Sequence, residues 1–332
     1  MFIADSSRLM LSSLLLGVMA GRTAAFNMSS NKNLAVYWGQ NSYGASNSDD
    51  TAHWQQRLSY YCKDNVIDTF PIAFLVDSYA EGNLPLIDLA NTCNSGNANY
   101  FPGTGLLNCS FLASDIKACQ AAGKAVTISF GGGAGHIQFR NDSQATAYAK
   151  TIWNLFLGGK SKTRPFGSAI LDGIDMDIEG GSQTGYVSFL TELRKLMNRG
   201  KKKYYITAAP QCPFPDAYIG STLNTVGFDA VYVQFYNNYC GLQHYKNRND
   251  WNFATWDNWA KSVSPNHDIK VYIGAPALPA AGSGYVNSKT ITSIIRQTQS
   301  KFSSFGGVML WDVSDAYGNH RYDKAVKKAL KN

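Results

Sequence analysis

No stretch of the 332-residue sequence reaches the roughly 20 consecutive apolar residues that a bilayer-spanning helix needs, so no membrane span is expected. The six cysteines include no Cys-x-x-Cys or similar metal-ligand spacing, which argues against a zinc site. Gly131-Gly132-Gly133 does not continue as Gly-x-Gly-x-x-Gly, so a phosphate cradle is not indicated. No short-period repeat and no Ser/Thr/Pro-rich linker is present, and nothing marks a seam between modules. Charge is sparse as well, with 16% Asp, Glu, Lys and Arg and a formal net charge of +7. The densest basic cluster, Arg199 with Lys201, Lys202 and Lys203, lacks the interleaved aromatics of a stacking surface and reads as a solvated loop. Nucleic acid is therefore not an expected partner.

What is present is a globular composition, 45% hydrophobic, long enough for one large α/β barrel. At the N-terminus Arg8 precedes the apolar run Leu9–Ala20, and Thr23-Ala24-Ala25 supplies small residues. This reads as a secretory leader spanning residues 1–25, cut near Ala25–Phe26, ahead of a single domain over residues 26–332. An even number of cysteines fits an oxidising compartment, with the pairing left open by spacing alone. Asn-x-Ser sequons stand at Asn27, Asn108 and Asn141.

Short β-branched runs alternate with longer helix-compatible stretches. The runs are residues 34–38, 71–76, 125–130, 169–175, 204–208, 230–235, 269–274 and 307–311. Between them, residues 145–157, 187–198 and 290–302 carry helical apolar spacing, and residues 324–330 read as a last amphipathic helix. Eight strands in βα alternation, apolar on both faces, favour a closed parallel (β/α)₈ barrel over an open sheet. Polar residues gather at the strand ends: Gln40, Asp77, Asp175 to Glu179, Gln234 to Asn238, and Trp311-Asp312. In such barrels the strand C-termini form the active face.

Asp175, Asp177 and Glu179 alternate with Met176 and Ile178. On a strand the three acids share one face, roughly 6.5–7 Å apart. Three carboxyls in one barrel mouth cannot all ionise cheaply, so at least one should hold a proton near neutral pH. A raised carboxyl is what protonating a glycosidic oxygen requires. The rival readings from spacing are a solvated edge strand and a divalent-cation site.

Asp172-x-x-Asp175-x-Asp177-x-Glu179 resembles the DxxDxDxE signature of glycoside hydrolase family 18. Ser129-Phe130-Gly131-Gly132 looks like its SxGG strand end. The segments 37–40, 208–213, 233–238 and 306–311 resemble the class III, hevamine-like chitinases of plants and fungi. The resemblance runs in order from Leu34 to Trp311. It implies hydrolysis of β-1,4 bonds in chitin or N-acetylglucosamine oligosaccharides, with the substrate's acetamido carbonyl as nucleophile and an oxazolinium intermediate. Glu179 would be acid and then base, and Asp177 would orient the acetamido N–H. Asp175 would sit deeper and share a proton with Asp177, and Tyr236 would donate to the acetamido carbonyl. Trp311 would floor the subsite. Gln234, Asn237, Tyr37, Gln40 and Asp77 are secondary candidates, and Gly131 and Gly132 could admit the ligand close to the backbone. The disulfides implied are Cys62–Cys119, Cys93–Cys109 and Cys212–Cys240. Neither metal nor cofactor is implied, and a monomer is the default.

Residues 49–63 and 241–245 depart from the plant pattern, and both are expected to lie along the cleft. No long insertion separates the last two strands, so a shallow, open cleft with endo-type or mixed cutting is expected rather than a deep processive tunnel. No binding module is expected beyond the barrel, and soluble oligomers are expected to be better substrates than crystalline chitin.

Overall fold

The computed structural model describes residues 25–331; the leader expected upstream, with its apolar run, lies outside them. Nine strands follow in chain order: β1 (Asn33–Val36), β2 (Thr69–Asp77), β3 (Leu86–Ile87), β4 (Ala125–Gly131), β5 (Gly173–Asp177), β6 (Tyr205–Ala208), β7 (Ala230–Gln234), β8 (Lys270–Pro276) and β9 (Phe305–Trp311). Eight of them pair in parallel in the order β1-β9-β8-β7-β6-β5-β4-β2, and a β1–β2 contact closes the ring. The expected (β/α)₈ barrel is the fold.

The closure is uneven. β1 meets β2 only low in the wall, with Ala35 opposite Thr69 and Trp38 bridged to Ile72. Higher up the strands diverge, and β3 takes the freed edge antiparallel, Ile87 opposite Leu75. That pairing satisfies backbone groups an open edge would strand. The Gln40 side chain spans the gap, donating to the carbonyls of Ala73 and Asp88 at 2.9 and 3.1 Å.

Alternation along the strands sorts side chains between two cores. Leu34, Val36 and Trp38 point outward into the layer between strands and helices. Ala35 and Tyr37 point inward and join Ala73, Phe74, Tyr205, Tyr232, Tyr272 and Met309 in the barrel lumen. Its floor is closed by Met28 and by Phe26, whose ring meets Tyr205 edge-on at 5.3 Å. The helices bury single stripes: in Asp142–Phe156 the buried residues are Ala145, Tyr148, Ala149, Ile152, Leu155 and Phe156. Asn141 and Asn287 cap the helices they precede, accepting from Gln144 N and Thr290 N.

One expected strand is shorter than its apolar run. Ala169, Ile170 and Leu171 lie in a loop, and β5 begins at Gly173. The Arg164 guanidinium takes the Ala169 carbonyl at 2.8 Å, while Gln120 and Lys202 take that of Ile170. These carbonyls are thereby withdrawn from the ladder. The disulfides Cys62–Cys119, Cys93–Cys109 and Cys212–Cys240 are the three pairs the resemblance implied. Among the described residues no helix is long and apolar enough to cross a membrane.

Candidate active site

Strand register assembles the site. Ser129 on β4, Asp175 on β5 and Thr207 on β6 are direct cross-strand partners, so their side chains form one inward layer. Ser129 Oγ donates to Asp175 Oδ2 at 2.6 Å and Thr207 Oγ1 to Oδ1 at 2.6 Å. The Tyr37 hydroxyl adds a third bond, to Oδ2, at 2.7 Å. Asp175 is fully enclosed. Burial pushes its carboxyl up, and the three hydroxyls pull it back by favouring the anion.

One layer higher, Asp177 is nearly enclosed and accepts a 2.7 Å bond from Gln234 Nε2, which also donates to the Ala209 carbonyl. Burial, then the neighbouring charges of Glu179 and Asp175, hold the Asp177 carboxyl well above its usual range, with the Gln234 amide opposing. Glu179, half-buried, follows just past the end of β5. Burial raises its carboxyl, the Gln234 amide opposes, and Asp216 adds to the rise. The Tyr236 phenol is held well above its ordinary range by burial, then by the charges of Asp177, Glu179 and Asp175.

A cavity of about 280 Å³ opens over this stack, lined by Glu179, Gln234, Tyr236, Asn237, Trp311, Gln40, Gly131 and Gly132 among the expected residues. Phe74, Val76, Gly133, Ala134 and Ala281 complete it. Trp311 stacks on Phe74, ring centroids 5.7 Å apart and 16° from parallel. Asn237 is held by a backbone pair with Ser283 and accepts from Ser283 N through Oδ1.

Three residues singled out in the sequence lie elsewhere. Tyr37 is buried beneath the cavity, bonded to Asp175 and packed under Phe74 and Trp311 rather than lining the opening. Asp77 accepts from Tyr79 N and lines a neighbouring depression with Tyr79, His136 and Arg140. Asp172 sits at the opposite end of β5, holding Val126 N, Gln120 and Lys202. Gly131 and Gly132 serve the wall as well as the cavity. A Cβ on Gly131 would stand 2.3 Å from the Asp177 carbonyl oxygen, and one on Gly132 would stand 2.5 Å from the Phe74 ring.

The divergent segments also miss this cavity. Tyr60 and Tyr61 pack on Tyr317, His53 pairs with Asp50, and Tyr245 lines a separate pocket on the barrel flank. Phe74, Ser129, Thr207 and Asp216 went unread as site residues. The hydroxyls of Ser129 and Thr207 on otherwise apolar strands were the available signal, since each falls in register with an acid. Among the described residues no three His, Cys, Asp or Glu side chains are grouped as metal ligands would be.

A family model described as glycosyl hydrolases family 18 matches residues 33–300. The chain belongs to that family. Family 18 relatives include Chitinase 2 of Rhizopus oligosporus, 47% identical over 89% of this chain and 51% of that protein. Endochitinase 33 of Trichoderma harzianum is 40% identical over 96% of this chain and 97% of that one. The chain thus spans about half the length of the Rhizopus protein and nearly all of the Trichoderma one. Among solved structures, the chitinase of Ipomoea carnea superposes with a TM-score of 0.74 at 31% identity, covering 90% of this chain and 99% of that chain. A xylanase and alpha-amylase inhibitor of Scadoxus multiflorus does so at 0.71 and 30%, covering 88% and 97%. A barrel of this shape is thus shared with one protein named as a chitinase and one named as an enzyme inhibitor.

Proposed function

We propose that the chain is a secreted chitinase that hydrolyses β-1,4 bonds between N-acetylglucosamine units with retention, using the substrate's acetamido carbonyl as nucleophile. One observation carries this: Glu179 is the only carboxylate among the residues lining the cavity. A retaining enzyme with its own nucleophile needs a second carboxyl about 5–5.5 Å away and open to the sugar. Asp175 is fully enclosed, and Asp177, 3% exposed, offers the cavity only an edge, enough to accept from an acetamido N–H but not to attack the anomeric carbon. The nucleophile then has to come with the substrate, and the 2-acetamido group supplies it.

The hydrogen bonds support a division of labour. Asp175, with three hydroxyl donors, is the acid most easily kept ionised; Asp177, with one amide donor and two charged neighbours, holds the proton in the empty site. When an acetamido N–H donates to Asp177, its proton moves toward Asp175 and the anion orients the group. The Tyr236 phenol, kept protonated, donates to the acetamido carbonyl and holds it in line with the anomeric carbon. Glu179 protonates the departing oxygen, the carbonyl oxygen closes the oxazolinium ring, and the Glu179 carboxylate then activates water. Trp311 packs the sugar face, with Gln234, Asn237 and Gln40 at its polar edges. Cellulose and xylan lack the acetamido group and should be inert.

Three disulfides support an oxidising, extracellular setting. The test uses N-acetylglucosamine tetramer with the parent protein and Glu179→Gln. β-Anomeric products from the parent, and a loss of about 10³-fold or more in the variant, are expected, somewhat within the 10²–10⁴ range of a general acid. α-Anomers would overturn the mechanism. Binding without cleavage by the parent would make the chain a carbohydrate-binding barrel, a reading kept in play by its likeness to the Scadoxus inhibitor.

A further inference from the structure

Glu179 gives the cavity a direction. A general acid must stand beside the scissile oxygen, so sugars on the departing side lie past Glu179, over the loops that follow it around the barrel mouth. The loop after β5 leads straight into the loop after β6: Gln183 donates to the Ala217 carbonyl and accepts from Ser221 and Thr222. The loops after β6 and β7 are in turn locked together by Cys212–Cys240, with Cα atoms 5.9 Å apart. Among the described residues, Phe214 and Tyr239 are the exposed large apolar side chains carried by these two loops, 37% and 58% exposed.

Tyr239 is tethered close to the chemistry through the backbone, and Phe214 is held by packing on its own loop. Tyr239 follows Tyr236 by three residues, a reach of at most about 11 Å, and Asn238 in between donates to the Tyr236 carbonyl at 3.3 Å. Phe214 rests edge-on against buried Trp256, centroids 5.0 Å apart, and Trp256 and Asn252 both donate to the Cys212 carbonyl. Two residues beyond, Asp216 is fixed by the backbone N–H groups of Gln211, Tyr218 and Ile219. The Phe214 ring is thus pre-positioned, so contact with a ligand costs little additional ordering.

From this arrangement we infer that Phe214 and Tyr239 form a binding platform for the N-acetylhexosamine units on the departing side of the cut bond. The inference rests on the reading of Glu179 as the acid. Exposed aromatic faces bury the apolar C–H faces of pyranose rings, and two rings flanking one disulfide suit two successive units. The platform makes the protein favour chains extending beyond Glu179, in keeping with cuts inside an oligomer rather than at its end.

The test compares N-acetylglucosamine hexamer with β-chitobiosyl fluoride, whose departing group is a single atom that reaches neither ring. Phe214→Ala and Tyr239→Ala should each raise KM for the hexamer about fivefold, and the pair about twentyfold. Turnover of the fluoride should stay within about twofold of the parent. Phe214→Leu, which keeps the packing on Trp256 but not the aromatic face, should behave as Phe214→Ala. Equal losses on both substrates, or an unchanged KM for the hexamer in Tyr239→Ala, would overturn the platform while leaving the chitinase reading intact. A parent inactive on both substrates would overturn both.

Discussion

Tyr37 and Asp175, 138 positions apart in sequence, meet inside the barrel through a 2.7 Å hydrogen bond in which the phenol donates to Oδ2. The bond joins the end of β1 to β5 across the lumen and supplies one of the three donors that make a buried charge on Asp175 tolerable. Tyr37→Phe keeps the ring against Trp311, 5.4 Å away, and removes only the donor. A lost bond to a buried charge costs about 1.5–3 kcal/mol. A lower denaturation midpoint and a kcat reduced by about tenfold or more are expected, with KM little changed. An unchanged kcat would mean that the Tyr37 bond steadies the fold without tuning the proton shared by Asp175 and Asp177.

Asp216 offers a test of the pH range. As the proposed acid, Glu179 has to be protonated, and burial, with the Asp216 charge adding to it, raises its carboxyl. Activity should therefore persist above the ordinary glutamate range of about 4.3 and fade as pH rises through the raised value. Asp216→Asn removes a negative charge, eases Glu179 ionisation and should move the alkaline limb of kcat/KM to lower pH. A limb at the parent's position would show that Asp216 acts only on its loop.

Much of this was legible in the sequence for a specific reason. Each strand buried on both faces leaves an apolar run, and each acid at a strand end breaks the alternation visibly. Residues 125–130 were expected and Ala125–Gly131 is found; residues 230–235 were expected and Ala230–Gln234 is found. The run at residues 169–171 misled because apolarity does not reveal that Arg164, Gln120 and Lys202 capture the carbonyls of Ala169 and Ile170. β3 could not be read, since two residues carry no period and their pairing depends on β1 leaving β2. In the site, the residues that contact a cavity and those that act from below look alike in sequence. Tyr37 and Gln40 both follow β1, yet one is enclosed and the other lines the opening. Cross-strand register, which decides this, is a property of the closed barrel.

Directly behind Trp311, Asp312 and Asp315 form a second buried acid pair. Asp312 accepts from Ser314, Asp315 N and Ser42 N, whereas neither Asp315 oxygen has a partner. Burial, then the Asp312 charge, pushes the Asp315 carboxyl up to about 8. In the unfolded chain an aspartate titrates near 3.9, so between about 4 and 8 the unfolded state holds fewer protons and stability falls as pH rises. Asp315→Asn removes that contribution. Thermal unfolding between pH 5 and pH 8 should show a shallower decline in the variant, and parallel curves would rule the pair out as its cause.

Gly132 tests how closely the barrel wall and the cavity share atoms. Its φ of +73° lies in the left-handed region, and its N–H donates to the Asp177 carbonyl at 2.8 Å. An alanine there incurs about 1–2 kcal/mol of backbone strain. Its methyl would also stand 2.5 Å from the Phe74 ring, and relieving that contact adds about 1–3 kcal/mol. Phe74 cannot yield freely, because its other neighbours are Trp311 and Tyr37. Displacement would therefore pass into Trp311, the face proposed to hold the sugar. Gly132→Ala should lower the denaturation midpoint and raise KM for N-acetylglucosamine tetramer about tenfold. A variant that loses stability but keeps its KM would show that Phe74 moves without carrying Trp311, so the sugar-binding face is anchored from below by Tyr37 alone.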